Sequence, residues 1–505
     1  MAYDRPGVYV EETLNPTQPT TGLNSNTVGA FVGPNDRGPL APTLVTSWSD
    51  YVNKYGSWNT TASNNLALAV YMFFANGGSQ TYVKRVVGTG AASAARTLQD
   101  RAVSPDDTLT LTAINPGTWS VNSGAYYGIS FEITNSAKTG YFDLTVYFGG
   151  ITAPYIVEKF TDLCMTSTDA RYAPSVINAG SRYLIATDAA SASTGATRNP
   201  AVVAVASGSL TSGANGAAVT SVTDFSSFDV INSSLLLNVA GFTDATTVNA
   251  AISYAASRKD VFVIVDGKDD TVANQLTLAA SYTTTGYAAV YYPRILISDP
   301  TKGVGAATGT TLLVGPGGAV AGLFVSTDNF RGVFKAPAGL QARIANAVSV
   351  TTLTNAELDN LNSASAAVNA IKFVPGSGIV VMGSRTLNPA YVDKYVPTRR
   401  TLIYLQKALS DLTQFAVFEP NDAALWRRIN STVSSFLTNF WAQGGLRGNI
   451  PQQAFFVKVD DTINTPATID NGEVHIEIGV ALQRPAEFIV IKIGQFDGGT
   501  TVTVA

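Results

Sequence analysis

One cysteine (Cys164) and one histidine (His475) in 505 residues leave little material for thiol or metal chemistry. No intrachain disulfide can form, and no Cys/His zinc site can be assembled. Charge is scarce as well. Asp, Glu, Lys and Arg make up 13% of the chain, about half the share of an ordinary soluble domain. The net charge is −4, which argues against a basic face that tracks nucleic acid. A hydrophobic content of 46% can offset chain entropy and excludes a disordered polyampholyte. No apolar run approaches the ~18 residues of a membrane span. The opening Met1-Ala2-Tyr3-Asp4-Arg5-Pro6 does not read as a signal peptide. The expectation is a soluble protein made in a reducing cytoplasm.

Catalytic motifs are missing too. No G-x-x-x-x-G-K-[ST] phosphate loop and no G-x-S-x-G nucleophile elbow occur. Gly315-Pro316-Gly317-Gly318 lacks the lysine of a phosphate loop and reads as a turn; Gly303 and Gly305 read as linker. His475 alternates with Glu473 and Glu477 on the polar side of a strand, and Cys164 reads as a packed small hydrophobe. The acidic doublets Asp106-Asp107, Asp269-Asp270 and Asp460-Asp461 read as solvated turns. A glycosidase would need two carboxyls placed across a sugar, and the sequence leaves that open. Arg399-Arg400 and Arg427-Arg428 are too sparse for a phosphate groove and read as salt-bridge partners, within the fold or between subunits. The expectation is no enzyme, no metal and no cofactor.

What is there is a surface of Ala, Ser, Thr, Gly and Asn, which desolvates at low cost and suits repeated protein contact. The pattern predicts an α/β fold: an α/β core with a mostly parallel sheet, an inserted β-rich domain and strand-like arms at both termini. The expected divisions are an arm at 1–20, core at 21–96, the insertion at 97–223, core with a C-terminal hairpin at 224–495, and a second arm at 496–505. In the first arm Val8, Tyr9, Val10, Glu11 and Glu12 alternate as a strand before a proline-rich tether. In the last, Thr501, Val502, Thr503 and Val504 follow Gly498-Gly499. A lone strand is unstable and must pair.

Between the arms, strands are expected at 28–33, 80–87, 235–239, 261–266 and 288–297, with helices at 66–74 and 245–257. The insertion carries alternating strands near 109–112, 128–134, 141–148 and 155–160. Its tail, 189–223, reads as loop or weak edge structure. Leu402, Leu405, Leu409 and Leu412 mark one long helix; Trp426, Ile429, Val433, Phe436 and Phe440 mark a second. Both are expected to bury their stripes against the sheet layer. A hairpin over 473–493, turning at Arg484-Pro485, presents Val474, Ile476, Ile478, Phe488 and Val490 on its apolar side.

Several ordered strings resemble the contractile tail sheath proteins of bacteriophages. They are Pro6-Gly7-Val8-Tyr9-Val10-Glu11-Glu12, Phe31-Val32-Gly33, Arg37-Gly38-Pro39, Asn76-Gly77-Gly78 and Tyr82-Val83-Lys84-Arg85-Val86. Thr327-Asp328-Asn329, the run from Arg331 to Gly339, Gly383-Ser384-Arg385-Thr386-Leu387, Phe418-Glu419-Pro420-Asn421-Asp422 and Arg484-Pro485-Ala486-Glu487-Phe488 follow in the same order. Phe334 departs from the tryptophan common there but keeps an aromatic ring. The likeness covers most of the chain outside 97–223. It implies a subunit of a helical tube that switches from long and narrow to short and wide. The implied partners are further copies of itself, the tail tube protein, and baseplate and tail terminator proteins, with no nucleic acid and no membrane insertion. The implied location is the phage tail of the virion, assembled in the host cytoplasm. The terminal strands are then donated to a neighbour's hairpin by β-augmentation. The insertion lies outermost, and Glu419, Asp422, Arg427 and Arg428 are candidate contacts to the tube or a neighbour. The sheath of a bacteriocin or another contractile injection particle is the alternative; an enzyme or lectin-like tail component is a second class.

Overall fold

The computed structural model describes residues 27–58, 65–121, 128–149, 155–300, 311–390 and 392–487. Both expected arms, Val8–Glu12 and Thr501–Val504, lie outside the described residues. The described chain opens with β1 (Thr27–Pro34), β2 (Thr43–Val45), α1 (Trp48–Tyr55), α2 (Asn65–Ala75) and β3 (Thr81–Val86). The Ser47 side chain starts α1 by accepting from the Asp50 N–H. After α2, Gly77 turns the chain at φ 98° into β3, as the Asn76-Gly77-Gly78 string predicts.

The chain then leaves the core and builds β4 (Ala95–Gln99), β5 (Asp107–Ala113), β6 (Ile129–Asn135), β7 (Phe142–Phe148), β8 (Tyr155–Leu163), α3 (Ala173–Gly180) and β9 (Leu184–Asp188). Two antiparallel sheets, β4-β5-β9 and β6-β7-β8, enclose a cluster of their own around Leu109, Leu111, Phe131, Leu144, Ile177 and Leu184. The first strand opens at Ala95, two residues ahead of 97. Residues 189–223 return along these sheets through isolated bridges such as Ile133 with Val203 and Ala92 with Ala214. At the neck, a Cβ on Gly88 would sit 1.7 Å from the Ala217 carbonyl oxygen, so no side chain fits there. Two arginines cross from the core. Arg85 donates to the Asn35 carbonyl at 2.6 Å and the Pro116 carbonyl at 2.7 Å. The Arg37 guanidinium lies 5.1 Å from the Trp119 ring and 4.6 Å from that of Tyr183, in cation–π geometry.

The core resumes with β10 (Ser234–Val239), α4 (Ala245–Arg258), β11 (Val261–Asp266), α5 (Val272–Ala280), β12 (Ala288–Tyr292), β13 (Ile295–Ser298), β14 (Thr311–Val314), α6 (Gly317–Arg331), β15 (Ala347–Val350), α7 (Asn355–Ser363), β16 (Val368–Val374) and β17 (Gly378–Val381). Eight strands form one mixed sheet in the order β17-β16-β12-β11-β10-β1-β3-β2. Every pairing from β16 through β3 is parallel; the edge strands β17 and β2 pair antiparallel. Alternate residues supply two cores. Phe31, Leu236, Ile264 and Tyr291 pack on one face with α2 and α6, while Val32, Leu237, Val265 and Tyr292 pack on the other with α4. Burial on both faces explains why β11 is uniformly apolar up to its last residue. The strand expected over 288–297 divides at Pro293. A proline has no N–H for the ladder, so β12 stays in the large sheet while β13 joins β14 and β15 in a separate antiparallel one.

The C-terminal unit holds α8 (Val396–Thr413), α9 (Ala423–Ala442), α10 (Pro451–Ala454), β18 (Phe455–Lys458), α11 (Pro466–Asp470) and β19 (Glu477–Val480). In α9, Leu425, Ile429, Val433, Leu437 and Phe440 are buried, and Trp426 and Phe436 flank them half-buried. The stripe packs into a fourth cluster with α8 and the β18–β19 segments rather than against the large sheet. In α8 the leucine stripe is only partly right. Leu405 is buried, whereas Leu402, Leu409 and Leu412 are half-buried. The buried face instead runs through Val396, Arg399, Arg400, Ile403 and Tyr404, because both arginines find carboxylates.

At the C-terminal end of β11, Asp266 is buried. Its Oδ1 accepts from the Gly317 N–H at 2.6 Å, and its Oδ2 lies 3.4 Å from Asn238 Nδ2. Desolvation raises its pKa against the opposing pull of these donors. The folded carboxyl therefore holds its proton more tightly than the unfolded one. Its contribution to stability is fully present below about pH 4 and is lost as pH rises through the raised value. Asp266→Asn keeps an acceptor for the Gly317 N–H and removes the buried carboxylate charge, while its amide nitrogen meets Asn238 Nδ2. The stability of the variant relative to the parent should rise as pH goes from about 4 to 7, because only the parent has to lose the buried proton. Urea midpoints measured across that range check it.

Candidate assembly surfaces

The sites where an α/β protein would do chemistry are filled. Ligands of such sheets sit at the C-terminal ends of the parallel strands. Here a Cβ on Gly241 would come within 2.1 Å of Asn65 at the start of α2, and one on Gly317 within 2.3 Å of Asn238. The Gly315–Gly318 string is the entry into α6, and the Gly317 N–H is spent on Asp266. His475 lies half-exposed with Nε2 3.0 Å from Glu473 Oε2. Cys164 is buried, and burial raises its thiol pKa, which keeps it protonated and unreactive. Among the described residues no group of three His, Cys, Asp or Glu side chains is placed to hold a metal, and no helix is long and apolar enough to cross a membrane.

The elbow between α8 and α9 gathers the four charged residues singled out from the sequence, and uses them differently. Asp422 caps α9, accepting from the Ala424 N–H at 2.9 Å and the Leu425 N–H at 2.8 Å. Glu419 and Arg428 form an exposed pair at 3.9 Å, with the Arg428 guanidinium 4.3 Å from the Phe415 ring. Arg427 is exposed one residue before it. Pairs of this kind contribute under about 1 kcal/mol each. Between them stands a residue that sequence reasoning did not single out. Phe418 is 88% exposed and sits at φ 66°, in the left-handed region, which costs a bulky side chain about 1 kcal/mol or more. Asn421 steadies the turn by donating to the Glu473 carbonyl at 2.9 Å and accepting from Trp426 Nε1 at 2.8 Å. No local sequence pattern announces a left-handed phenylalanine.

The segment expected to receive a neighbour's strand is only partly within the described residues. Val474, Ile476 and Ile478 lie on one side and pack, with Val480 and Leu482, against the α9 cluster. The ordered strand is the short β19, and it pairs antiparallel with β18, Phe455 opposite Val480 and Lys458 opposite Glu477. That partner was not foreseen from the sequence. Phe488 and Val490 lie outside the described residues. Within the described residues, β18 and β19 pair as strands only with each other; on β18 the Val457 carbonyl accepts from Asn430 of α9 at 3.2 Å, so β19 is the side that presents an edge of backbone N–H and C=O groups.

Arg399 and Arg400 are salt-bridge partners inside the fold. Arg399 pairs with Asp393 and lies over the Tyr287 ring at 4.7 Å. Arg400 grips both Asp328 oxygens, one at 2.9 Å, over the Phe324 ring at 4.7 Å. The Arg400–Asp328 pair bolts α8 to α6, while Arg399–Asp393 holds the segment that leads into α8.

Comparison with known proteins gives this arrangement a family. Residues 237–387 match the phage tail sheath protein central domain, and 392–495 match the phage tail sheath C-terminal domain; together they span half of the chain. The tail sheath protein of Vibrio phage KVP40 is 29% identical over 179 residues, which is 35% of this chain and 25% of that relative. Three solved structures share the fold over nearly the whole length. The sheath of an extracellular contractile injection system in its contracted state has a TM-score of 0.56 and 22% identity, covering 98% of each chain. The contracted helical sheath of the anti-feeding prophage has a TM-score of 0.57 and 20% identity over 98% of this chain and 100% of that one. The sheath tail protein from Listeria innocua has a TM-score of 0.60 and 13% identity over 92% and 96%. With the matched models falling on the large sheet and on the helices and short strands that follow it, the chain belongs to the phage tail sheath protein family.

Proposed function

We propose that this chain is the structural subunit of a contractile phage tail sheath. It polymerises helically around the tail tube and contracts to drive the tube through the host envelope for genome ejection. The observation that carries the reading is the match to both tail sheath domain models. The edge that β19 leaves unpaired among the described residues, the filled strand ends and the low share of charged residues support it: they suit a subunit that makes contacts rather than one that turns over a substrate. The subunit has no catalytic role in this reading. Its partners are further copies of itself, the tail tube protein, and the baseplate and tail terminator proteins, and its place is the tail of the virion after assembly in the host cytoplasm. The match to a Vibrio phage protein favours a phage tail over a free injection particle.

In the tube, the segment built by residues 97–223 faces outward and the α8–α9 elbow faces inward, because the terminal arms have to reach neighbours near the inner wall. Contraction is a shift between two packings of the same body, with the contracted one lower in free energy. The heterologous contact runs on as a helix rather than closing into a ring. A cryo-EM map of intact tails tests this placement. The expected map has the β6-β7-β8 sheet at high radius and Phe418, Glu419, Arg427 and Arg428 at low radius; the reverse order overturns it.

A further inference from the structure

Glu487 lies at the end of the C-terminal unit, seven residues beyond β19. Three donors from the core side hold its carboxylate. Arg385 Nε reaches Oε1 at 2.9 Å, Arg385 Nη2 reaches Oε2 at 2.6 Å, and the Tyr395 hydroxyl lies 3.3 Å from Oε2. The pair is largely withdrawn from water, with side-chain exposures of 11% and 18%. A two-pronged arginine–carboxylate pair is directional and among the stronger polar contacts a protein makes.

Arg385 is itself fixed in the large sheet. Its N–H donates to Asn369 Oδ1 at 2.7 Å, and Asn369 Nδ2 returns a bond to the Arg385 carbonyl at 2.7 Å. Asn369 belongs to β16 and also reaches the Val290 carbonyl of β12 at 3.1 Å. The fourth connection, Arg385 Nη1 to the Asn362 carbonyl at 2.6 Å, ties in the end of α7. The route from Glu487 thus leads through Arg385 and Asn369 to two strands inside the large sheet.

Among the described residues, the route back along the chain holds no ion pair of this kind; it runs through single hydrogen bonds and apolar packing. Between Glu487 and β19, the ties include the Arg447 N–H to the Ala481 carbonyl at 2.9 Å, Gln483 Nε2 to the Leu446 carbonyl at 2.7 Å, Thr398 Oγ1 to the Gln483 carbonyl at 3.3 Å, and a bridge between Leu446 and Leu482. Behind them stands β19, four residues paired to one four-residue strand. A two-stranded ribbon is marginal without the apolar packing that this one makes on α9, and a pull at its end would load its few bonds one after another.

We propose that Glu487 is the fixed end of the C-terminal tether, and that Arg385 and Tyr395 deliver a load on the chain beyond it to the large sheet, sparing the β18–β19 ribbon. The inference rests on the reading that terminal segments link neighbouring subunits. Arg385, Tyr395 and Glu487 are positioning residues: they touch no partner and act by holding the ribbon out of the line of force.

The test is single-molecule pulling on the full chain through tags at its two ends, comparing the parent with Glu487→Gln, Arg385→Lys and the exchange Arg385→Glu with Glu487→Arg. Gln keeps the shape and loses the charge; Lys keeps the charge and loses the fork. In the parent, the ribbon should stay closed until the large sheet yields. Each single variant should gain an early low-force step of about 35 Å, the length of the roughly ten residues freed, and the exchange should remove it. Circular dichroism and the urea midpoint report whether each variant is folded. A folded single variant that breaks in the same sequence of steps as the parent overturns the proposal. This readout needs no tube, so it fails or succeeds independently of the sheath reading. If the arms prove dispensable for tube formation while the early step still appears in the variants, the clamp stands and the sheath reading loses its linkage. In tubes, Glu487→Gln should assemble at parental length and break into shorter pieces on contraction.

Discussion

Deleting residues 2–14 should leave a folded monomer and abolish tubes of either length. Among the described residues, those that form the four hydrophobic clusters run from Val28 onward, and the deletion leaves every one of them in place. It does remove the strand Val8–Glu12 that the reading assigns to a neighbour's sheet. Contraction slides bodies past one another and exchanges the contacts between their surfaces. A main-chain ladder on a flexible tether can persist while that happens. Each ladder bond adds only about 1 kcal/mol net, but a strand supplies several, and every subunit in the helix repeats them. In that reading alternation would set the register, with Val8 and Val10 on one side of the strand and Tyr9 and Glu11 on the other, and a slip of one residue would exchange the faces. Sedimentation of the truncated protein should give the monomer at every concentration, with an unchanged melting curve. Ordered tubes from the truncated protein would show that the arm is dispensable.

Arg400→Ala should produce the largest loss of stability among single substitutions at the α8 junction. The Arg400 and Asp328 side chains are 3% and 1% exposed, so removing the arginine takes the two-pronged cationic partner from a buried carboxylate. Breaking a buried pair from one side costs about 3–5 kcal/mol, a large fraction of the roughly 5–15 kcal/mol that holds an ordinary domain together. Replacing both partners, as in Arg400→Met with Asp328→Leu, removes the buried carboxylate together with the pair and should recover most of the loss. Urea denaturation of the two variants and the parent checks the order: parent and double variant close together, Arg400→Ala far below. The Glu419–Arg428 pair at the elbow gives the contrast. It is 3.9 Å long and about half exposed on both sides, and its loss should move the midpoint hardly at all.

Much of the fold is legible where the physical signal is local. The apolar run Val261–Asp266 could belong only to a strand buried on both faces, and it became β11 to the residue. The stripe in α9 and the glycine stop after α2 are of the same kind. The strands β4 and β9 and the helix α3 were missed because they are short and pack inside a segment rich in Ala, Ser and Thr, where periodicity is faint. The leucine stripe in α8 misled because it counts only apolar residues. Arg399 and Arg400 belong to the buried face once Asp393 and Asp328 are brought to them, and Asp328 lies 72 residues upstream of Arg400. Arg385 and Glu487 are 102 residues apart, and nothing in either neighbourhood announces the other. The charged residues at the elbow were found as a group, but the exposed Phe418 at its tip was not, since its left-handed backbone is set by the turn around it.

The central claim is that this chain assembles with itself into a helical tube. Negative-stain electron microscopy of the purified full-length protein, taken through a concentration series with sedimentation in parallel, tests it most directly. The account predicts hollow tubes of uniform diameter and variable length above a threshold concentration, built from this chain alone. Monodisperse particles at every concentration, with no tubes and no sedimenting polymer, would contradict it.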